Sequence, residues 1–117
     1  LTGLNCSNNQ LSILDVSQNN LLDGLVCSNN QISNLDLINK HGLQHGGVIC
    51  HHNQLTNLFL SDSITSMKEL DCSHNLIDSI NFTRTARPNN IYIKEFDISN
   101  NSLTNFLTLF ICFSNFS

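Results

Sequence analysis

The sequence predicts a β-rich solenoid, in which successive coils stack so that their short strands form a parallel sheet. Three observations support this fold class. Similar segments recur along the chain, apolar and polar residues alternate at the start of each segment, and an Asn follows this alternation at a fixed distance. The alternation is the periodicity of a strand, and stacked parallel strands lie about 4.8 Å apart. A second line of short strands or turns is expected on the opposite side of each coil.

The recurring segments align on one position, which is Cys in four copies and Ile in the fifth. The copies are LTGLNCSNNQL, LDGLVCSNNQI, GGVICHHNQL, KELDCSHNLI and KEFDISNNSL. The aligned residues are Cys6, Cys27, Cys50, Cys72 and Ile98, at intervals of 21, 23, 22 and 26. A weaker sixth copy contains Cys112. We expect a single domain over residues 1–117 with about five repeats, a window on a longer array, irregular at about 83–92 and from 104–117.

Each repeat contributes one predicted strand to the first side of the coil and a short strand or turn to the second side. The inward pairs of the first side are Leu4/Cys6, Leu25/Cys27, Val48/Cys50, Leu70/Cys72 and Phe96/Ile98. The inward pairs of the second side are Leu14/Val16, Leu35/Leu37, Leu58/Leu60 and Ile80/Phe82. Helices are not expected, because Asn, Ser or Asp interrupts each half-repeat after about ten residues.

The consensus LxxLxCxxNxLxxLxLxx resembles the leucine-rich repeat, whose hallmark is L-x-x-L-x-L-x-x-N/C-x-L. The two halves of each copy are also similar to each other, which resembles a nested subclass of that family. The resemblance implies a right-handed coil with a parallel concave sheet and short strands or turns on the convex side. It also implies a non-enzymatic protein-protein interaction module that uses the concave face and needs no cofactor.

An Asn ladder is predicted inside the coil. Its members follow each first-side strand and are Asn9, Asn30, Asn53, Asn75 and Asn101. An inward Asn amide has two donors and an acceptor, so that it can satisfy backbone groups of adjacent turns. These residues are therefore assigned a structural role.

The predicted partner-binding residues lie on the outward face of the first-side strands. They are Val26, Ile49, His51, Glu69, Asp71, Glu95 and Asp97. Outward Val and Ile at strand centres indicate a contact patch if a partner covers them, although β-branched residues also favour strands without any partner. The acidic residues of the later coils favour a partner with an apolar group followed by Lys or Arg.

The cysteines and histidines indicate no catalytic or metal site. The cysteines occupy a repeat slot that Ile fills in the fifth copy, so that they are expected to be free thiols packed in the core. His52 and His74 share one repeat position and are expected to be exposed turn residues in place of Asn. They approach each other across one coil, which leaves a metal site as the minor alternative. His41 and His45 lie among glycines and lack the helix that a His-x-x-x-His zinc pair needs.

Composition excludes some partners. The net charge is −4 with five Lys and Arg, which disfavours nucleic-acid binding. No apolar stretch approaches the roughly 20 residues of a membrane span. Charged residues make up only 12% of the chain, and uncharged polar residues, among them 19 Asn and 14 Ser, provide most of its polar side chains.

Unpaired thiols weakly favour a reducing intracellular compartment and leave a cell-surface location open. The alternative function is a structural or adhesion array that acts as a spacer.

Overall fold

A computed structural model describes residues 1–61, 63–82 and 92–104, with the side chains of 81 and 82 not included. All regular secondary structure in these ranges is strand, and they contain no helix. The strands are β1 (Gly3–Asn5), β2 (Gly24–Val26), β3 (Asp36–Leu37), β4 (Gly47–Ile49), β5 (Asn57–Leu60), β6 (Ser66–Asp71), β7 (Ser79–Phe82) and β8 (Tyr92–Asp97). The predicted irregular segments fall largely outside the described residues, as does Cys112.

The strands form a parallel β-solenoid of about four turns, as the sequence predicts. The first sheet has five strands in the order β1-β2-β4-β6-β8, and the second has three in the order β3-β5-β7. Every pairing is parallel, and each coil is in phase with the next. The inward Leu25, for example, pairs with Leu4 on one side and with Val48 on the other.

The second sheet begins in the second coil, and in the first coil a turn takes its place, as the prediction of short strands or turns on this side allows. The turn follows Leu14 and Val16. The Ser17 N–H donates to Asp15 Oδ1 (2.8 Å) and the Asn19 N–H to the Val16 carbonyl (2.9 Å). β3 has the equivalent bonds, from the Ile38 N–H to Asp36 Oδ1 (3.0 Å) and from the Lys40 N–H to the Leu37 carbonyl (3.1 Å), so that the two coils differ in strand pairing and not in these turns. Val16 nevertheless stays buried, while Leu14 is half-buried.

The core lies between the two sheets and is filled by the inward residues of both. Cys27, Cys50 and Cys72 have no exposed surface and pack with the surrounding Leu and Ile side chains. The corresponding residues of the terminal coils, such as Leu4 and Phe96, are only half-buried. The central coils therefore hold most of the apolar burial that stabilises the fold.

The central Asn residues lie inside the coil and bridge adjacent turns. Asn53 Nδ2 donates to the carbonyls of Cys27 (3.0 Å) and Cys50 (3.1 Å), and its Oδ1 accepts the Ile32 N–H (3.0 Å). Asn30 and Asn75 are buried with equivalent bonds. Each amide thus satisfies backbone groups that would otherwise be buried without a partner.

The two ends of the ladder differ from the centre. Asn101 is half-buried and keeps the bridging pattern, with Nδ2 donating to the carbonyls of Cys72 and Ile98. Asn9 is exposed, and its Nδ2 donates only within its own coil, to the carbonyls of Cys6 and Ser7. These are the same within-coil bonds that Asn30 makes to Cys27 and Ser28, so that Asn9 has the orientation of the ladder without a bond to a second coil in the described residues.

The turn after each first-sheet strand contains one residue in the left-handed region. These residues are Asn8 (φ 58°), Asn29 (φ 56°), His52 (φ 53°), His74 (φ 52°) and Asn100 (φ 56°). Asn, Asp and His tolerate this conformation better than other residues with a side chain. The repeat position shared by Asn and His is therefore explained by backbone geometry.

Candidate functional site

The outward face of the first sheet presents one row of side chains at the C-terminal ends of its strands. The strand register aligns Asn5, Val26, Ile49, Asp71 and Asp97 in this order. We call this set the central row. Its members alternate with core residues, which are buried in the three central strands and half-buried in the two outer ones, and none of the row itself is buried. A ligand that lies across the sheet therefore meets one of these residues about every 4.8 Å.

The apolar part of the central row lies beside glycines. Val26 and Ile49 are half-buried, and the residues two positions earlier are Gly24 and Gly47, which pair with each other. Gly3 continues this line, and a Cβ at Gly3 would have no neighbour within 4 Å. At Gly24 and Gly47 the space that a side chain would need is occupied by the backbone of Gly46 and Glu69, so that this line is open only at Gly3.

The acidic part of the central row is restrained by serines. Asp71 Oδ1 accepts the Ser73 N–H (3.1 Å) and hydroxyl (2.7 Å), and Asp97 Oδ1 accepts the same groups of Ser99 (2.9 and 2.6 Å). In the described residues, Oδ2 of both carboxylates receives no hydrogen bond. The Ser side chains therefore orient each carboxylate and leave one oxygen for a partner.

The Ser99 hydrogen bonds also stabilise the charged form of Asp97. The hydroxyl bond is the main cause of the lowered pKa of this carboxyl, followed by the backbone N–H and by the nearby His74 and His51. The sequence analysis missed this restraint, although its signal was present. The same Asx-x-Ser spacing occurs in Asn5-x-Ser7, where Asn5 Oδ1 accepts both Ser7 groups.

Two pairs of acidic residues face each other across β6 and β8. The register pairs Glu69 with Glu95 and Asp71 with Asp97. Like charges directly opposite each other in a sheet are destabilising. The stability of the sheet therefore does not account for this placement, which concentrates negative charge at one end of the central row.

Three histidines lie beside the central row, in the turns after β4 and β6. The rings of His52 and His74 stack, with centroids 4.2 Å apart and planes at 15°. His51 lies edge-on to His52, and a hydrogen bond of 2.9 Å joins their Nδ1 atoms. His51 is half-buried, whereas His52 and His74 are exposed. The structure thus places His52 and His74 in contact, as the sequence predicts for equivalent positions of adjacent coils. It also places His51 beside them.

The other histidines do not join this group. His41 Nδ1 is hydrogen-bonded to the hydroxyls of Ser61 (2.8 Å) and Ser63 (2.5 Å), and His45 is exposed. Among residues 1–61, 63–82 and 92–104, no group of three or more His, Cys, Asp or Glu side chains is arranged to hold a metal ion.

The buried thiols of the core have a low reactivity. Cys6, Cys27 and Cys50 are free thiols, as the sequence predicts for them. Burial raises the pKa of Cys27 to about 12 and that of Cys50 well above its ordinary value. Because the thiolate is the nucleophile and the metal ligand, these groups are poor candidates for either role.

A polar cleft of about 330 Å³ lies on the other side of the molecule, between the first two coils. Its lining includes Asp15, Asp36 and the buried Lys40, whose Nζ donates to the Ser17 carbonyl (3.2 Å). The sequence gives no sign of this burial, since Lys is rarely buried.

Comparisons with protein-family models, with curated proteins and with solved structures found no match. In the part of the chain that the structure describes, no helix is long and apolar enough to span a membrane.

Proposed function

We propose that the chain is a leucine-rich-repeat solenoid that binds a protein partner on the outward face of its first sheet. The observation that carries this proposal is the central row, which is in register across five strands and changes from apolar to acidic along its length. The family assignment rests on the consensus pattern, together with the parallel coils and the inward Asn residues that the pattern requires.

The central row suits a partner segment with an apolar group followed by Lys or Arg. Val26 and Ile49 lose water when they are covered, which favours binding. The carboxylates of Asp71 and Asp97 are each held in place by a Ser hydroxyl, so that they can attract and orient a basic group. Charges of this kind set the association rate and the orientation more than the affinity.

No enzymatic activity is part of this proposal. The Asp carboxylates are restrained by Ser, and the buried thiols stay protonated. A spacer array would need the same coils but would make no use of the central row. The like-charge pairs across β6 and β8 favour recognition over the spacer, because they oppose stability without adding length.

The test compares one substitution on each sheet. Ile49→Asp should weaken partner binding by about 2 kcal/mol or more, roughly thirtyfold in Kd, because it places a charge in the apolar contact. Phe59→Asp is the matched control, since Phe59 is half-buried at the centre of β5 in the second sheet. Binding that survives Ile49→Asp would contradict the proposal and would agree with the spacer.

The acidic residues are tested through kinetics. Asp71→Lys and Asp97→Lys should slow association and reduce its dependence on salt, because steering by opposite charges is screened by ions. Substitution of Arg84 or Arg87, which lie outside the described residues, should have little effect. If binding instead depends on Arg84 and Arg87, the segment around them is the site.

A further inference from the structure

We propose that the partner segment bound on the central row is an α-helix that lies along the stacking direction of the coils, across the strands. Its contact side carries two apolar residues for Val26 and Ile49, and two Lys or Arg residues for the acidic part of the row. This assignment depends on the proposed function and adds the conformation and the residue pattern of the partner.

The spacing of the central row matches the turns of a helix. Parallel strands place successive residues of the row about 4.8 Å apart, so the residues from Val26 to Asp97 lie at about 0, 4.8, 9.6 and 14.4 Å. A helix rises about 1.5 Å per residue, so positions i, i+3, i+7 and i+10 lie at about 0, 4.5, 10.5 and 15 Å. These positions fall within about 80° around the helix axis, since each residue turns by about 100°. One face of a helix therefore meets four successive strands.

An extended segment does not match this spacing. Residues on one side of an extended chain recur about every 6.8 Å. If the first of them covers Val26, the second lies about midway between Ile49 and Asp71. The third, at about 13.6 Å, approaches Asp97. An extended segment would therefore miss the two middle residues of the row, whereas a helix contacts them.

Small or absent side chains border the apolar part of the row. Gly24, two residues before Val26, has no side chain, and Ser28, two residues after Val26, is buried. Gly47 holds the position of Gly24 in the next coil, where the half-buried His51 is the larger border residue. A helix is about 10–12 Å wide with its side chains, so that it extends over both borders. The borders beside Val26 therefore leave room for an element wider than one extended chain.

The charges of the later coils determine which end of the helix is basic. Two coils place four carboxylates on and beside the row, namely Glu69, Asp71, Glu95 and Asp97. The exposed Lys68 and Lys94 offset half of this charge. Long Lys or Arg side chains on the helix can reach carboxylates on both strands, which gives charge complementarity. Apolar residues at this end would cover the carboxylates without pairing them, which costs free energy.

Two displayed peptide libraries test the conformation. The helical library randomises positions i, i+3, i+7 and i+10 in an Ala- and Gln-rich scaffold, and the linear library randomises four alternate residues of a Thr-rich sequence. Both are selected on the immobilised chain and counter-selected on the Ile49→Asp variant. Synthetic copies of the selected peptides are measured by fluorescence anisotropy, and circular dichroism checks that each protein variant is folded.

The helical library should yield peptides with apolar residues at two adjacent randomised positions and Lys or Arg at the other two. Ile49→Asp should weaken their binding by roughly thirtyfold, and Phe59→Asp, on the second sheet, should leave the Kd unchanged. Asp71→Lys should also weaken binding and reduce its dependence on salt. Pro in place of a scaffold residue in the middle of the peptide should weaken binding by about tenfold or more, because it breaks the helix without changing the contact residues.

The linear library separates this inference from the proposed function. Peptides that depend on Ile49 and come from the linear library alone would overturn the helix and would support the proposed binding face. Helical peptides that lack the apolar and basic order, or that tolerate the central Pro, would also overturn the helix. If neither library yields a peptide that depends on Ile49 or Asp71, both the helix and the proposed binding face are wrong.

Discussion

At the residue scale, the abundant Asn of this chain has different roles according to its position in the repeat. Asn53 bridges two coils from inside, Asn29 adopts the left-handed turn conformation, and Asn5 accepts hydrogen bonds from the Ser two residues later. Each role uses a different property of the same side chain: its donors, its tolerance of positive φ, and its acceptor. The high Asn content is therefore a consequence of the repeat geometry.

Asn53→Leu should lower the free energy of unfolding by about 1–3 kcal/mol, because buried backbone groups of two coils lose their partner. Asn9→Leu is the matched control, since Asn9 is exposed and bonds only within its own coil. Its effect should be within about 0.5 kcal/mol, as for most surface substitutions. Urea unfolding followed by circular dichroism measures both. Equal effects of the two substitutions would show that the bridging bonds contribute nothing to stability.

The thiols should react in order of their burial. A pKa raised to about 12 leaves Cys27 almost entirely protonated at pH 8, and the buried Cys50 follows the same direction. Cys6 is only half-buried, so its thiol should be alkylated first, although its pKa is also raised. Iodoacetamide labelling with peptide mapping gives the rates, and labelling in denaturant is the control. Fast alkylation of Cys27 in the folded chain would contradict its protected position.

At the element scale, the strand register is the part of the structure that the sequence predicts best. Leu25, Val48 and Leu70 could be aligned because a period of two fixes which residues face inward, and the repeat fixes the phase. The greater length of β6 and β8 could not be predicted. It depends on the pairing of Met67 with Ile93, which lies before the recurring segment.

The local hydrogen bonds around the central row were not predicted, although the Asx-x-Ser spacing that makes them is present in the sequence. The alternation of residues places Asp71 and Asp97 outward, but it contains no information on what their oxygens contact. The burial of Lys40 could not be predicted either, because it depends on how the second sides of neighbouring coils pack. Sequence periodicity thus predicts which side of the sheet a residue faces, and the contacts require the structure.

Gly47 is the first residue of β4, and its position leaves no room for a side chain. Its φ is +78°, and a Cβ would collide with the Glu69 carbonyl oxygen and lie 2.8 Å from the Glu69 nitrogen. Gly47→Ala should therefore destabilise the fold, by about 1–3 kcal/mol from backbone strain alone. Gly3→Ala, at the equivalent position of β1 with open space around it, should change the melting temperature little. Similar melting temperatures for the two variants would contradict the close approach of β4 and β6.

At the scale of the whole molecule, stacking converts a weak local pattern into an extended surface. A single repeat exposes one central-row residue, whereas five strands in register expose a row that changes from Val26 and Ile49 to Asp71 and Asp97. Repeat proteins use such extended faces because each coil contacts only its neighbours and can vary outward without changing the core. The central claim is that this row is where a protein partner binds.

Site-specific photocrosslinking tests this claim most directly. A benzophenone amino acid replaces Ile49 or Val26 in the first sheet, or Phe59 at the centre of β5, and each chain is irradiated with the purified partner. The account predicts a discrete adduct from positions 26 and 49 and none from position 59, because only the outward face of the first sheet contacts the partner. An adduct from position 59 without any from positions 26 and 49 would contradict it.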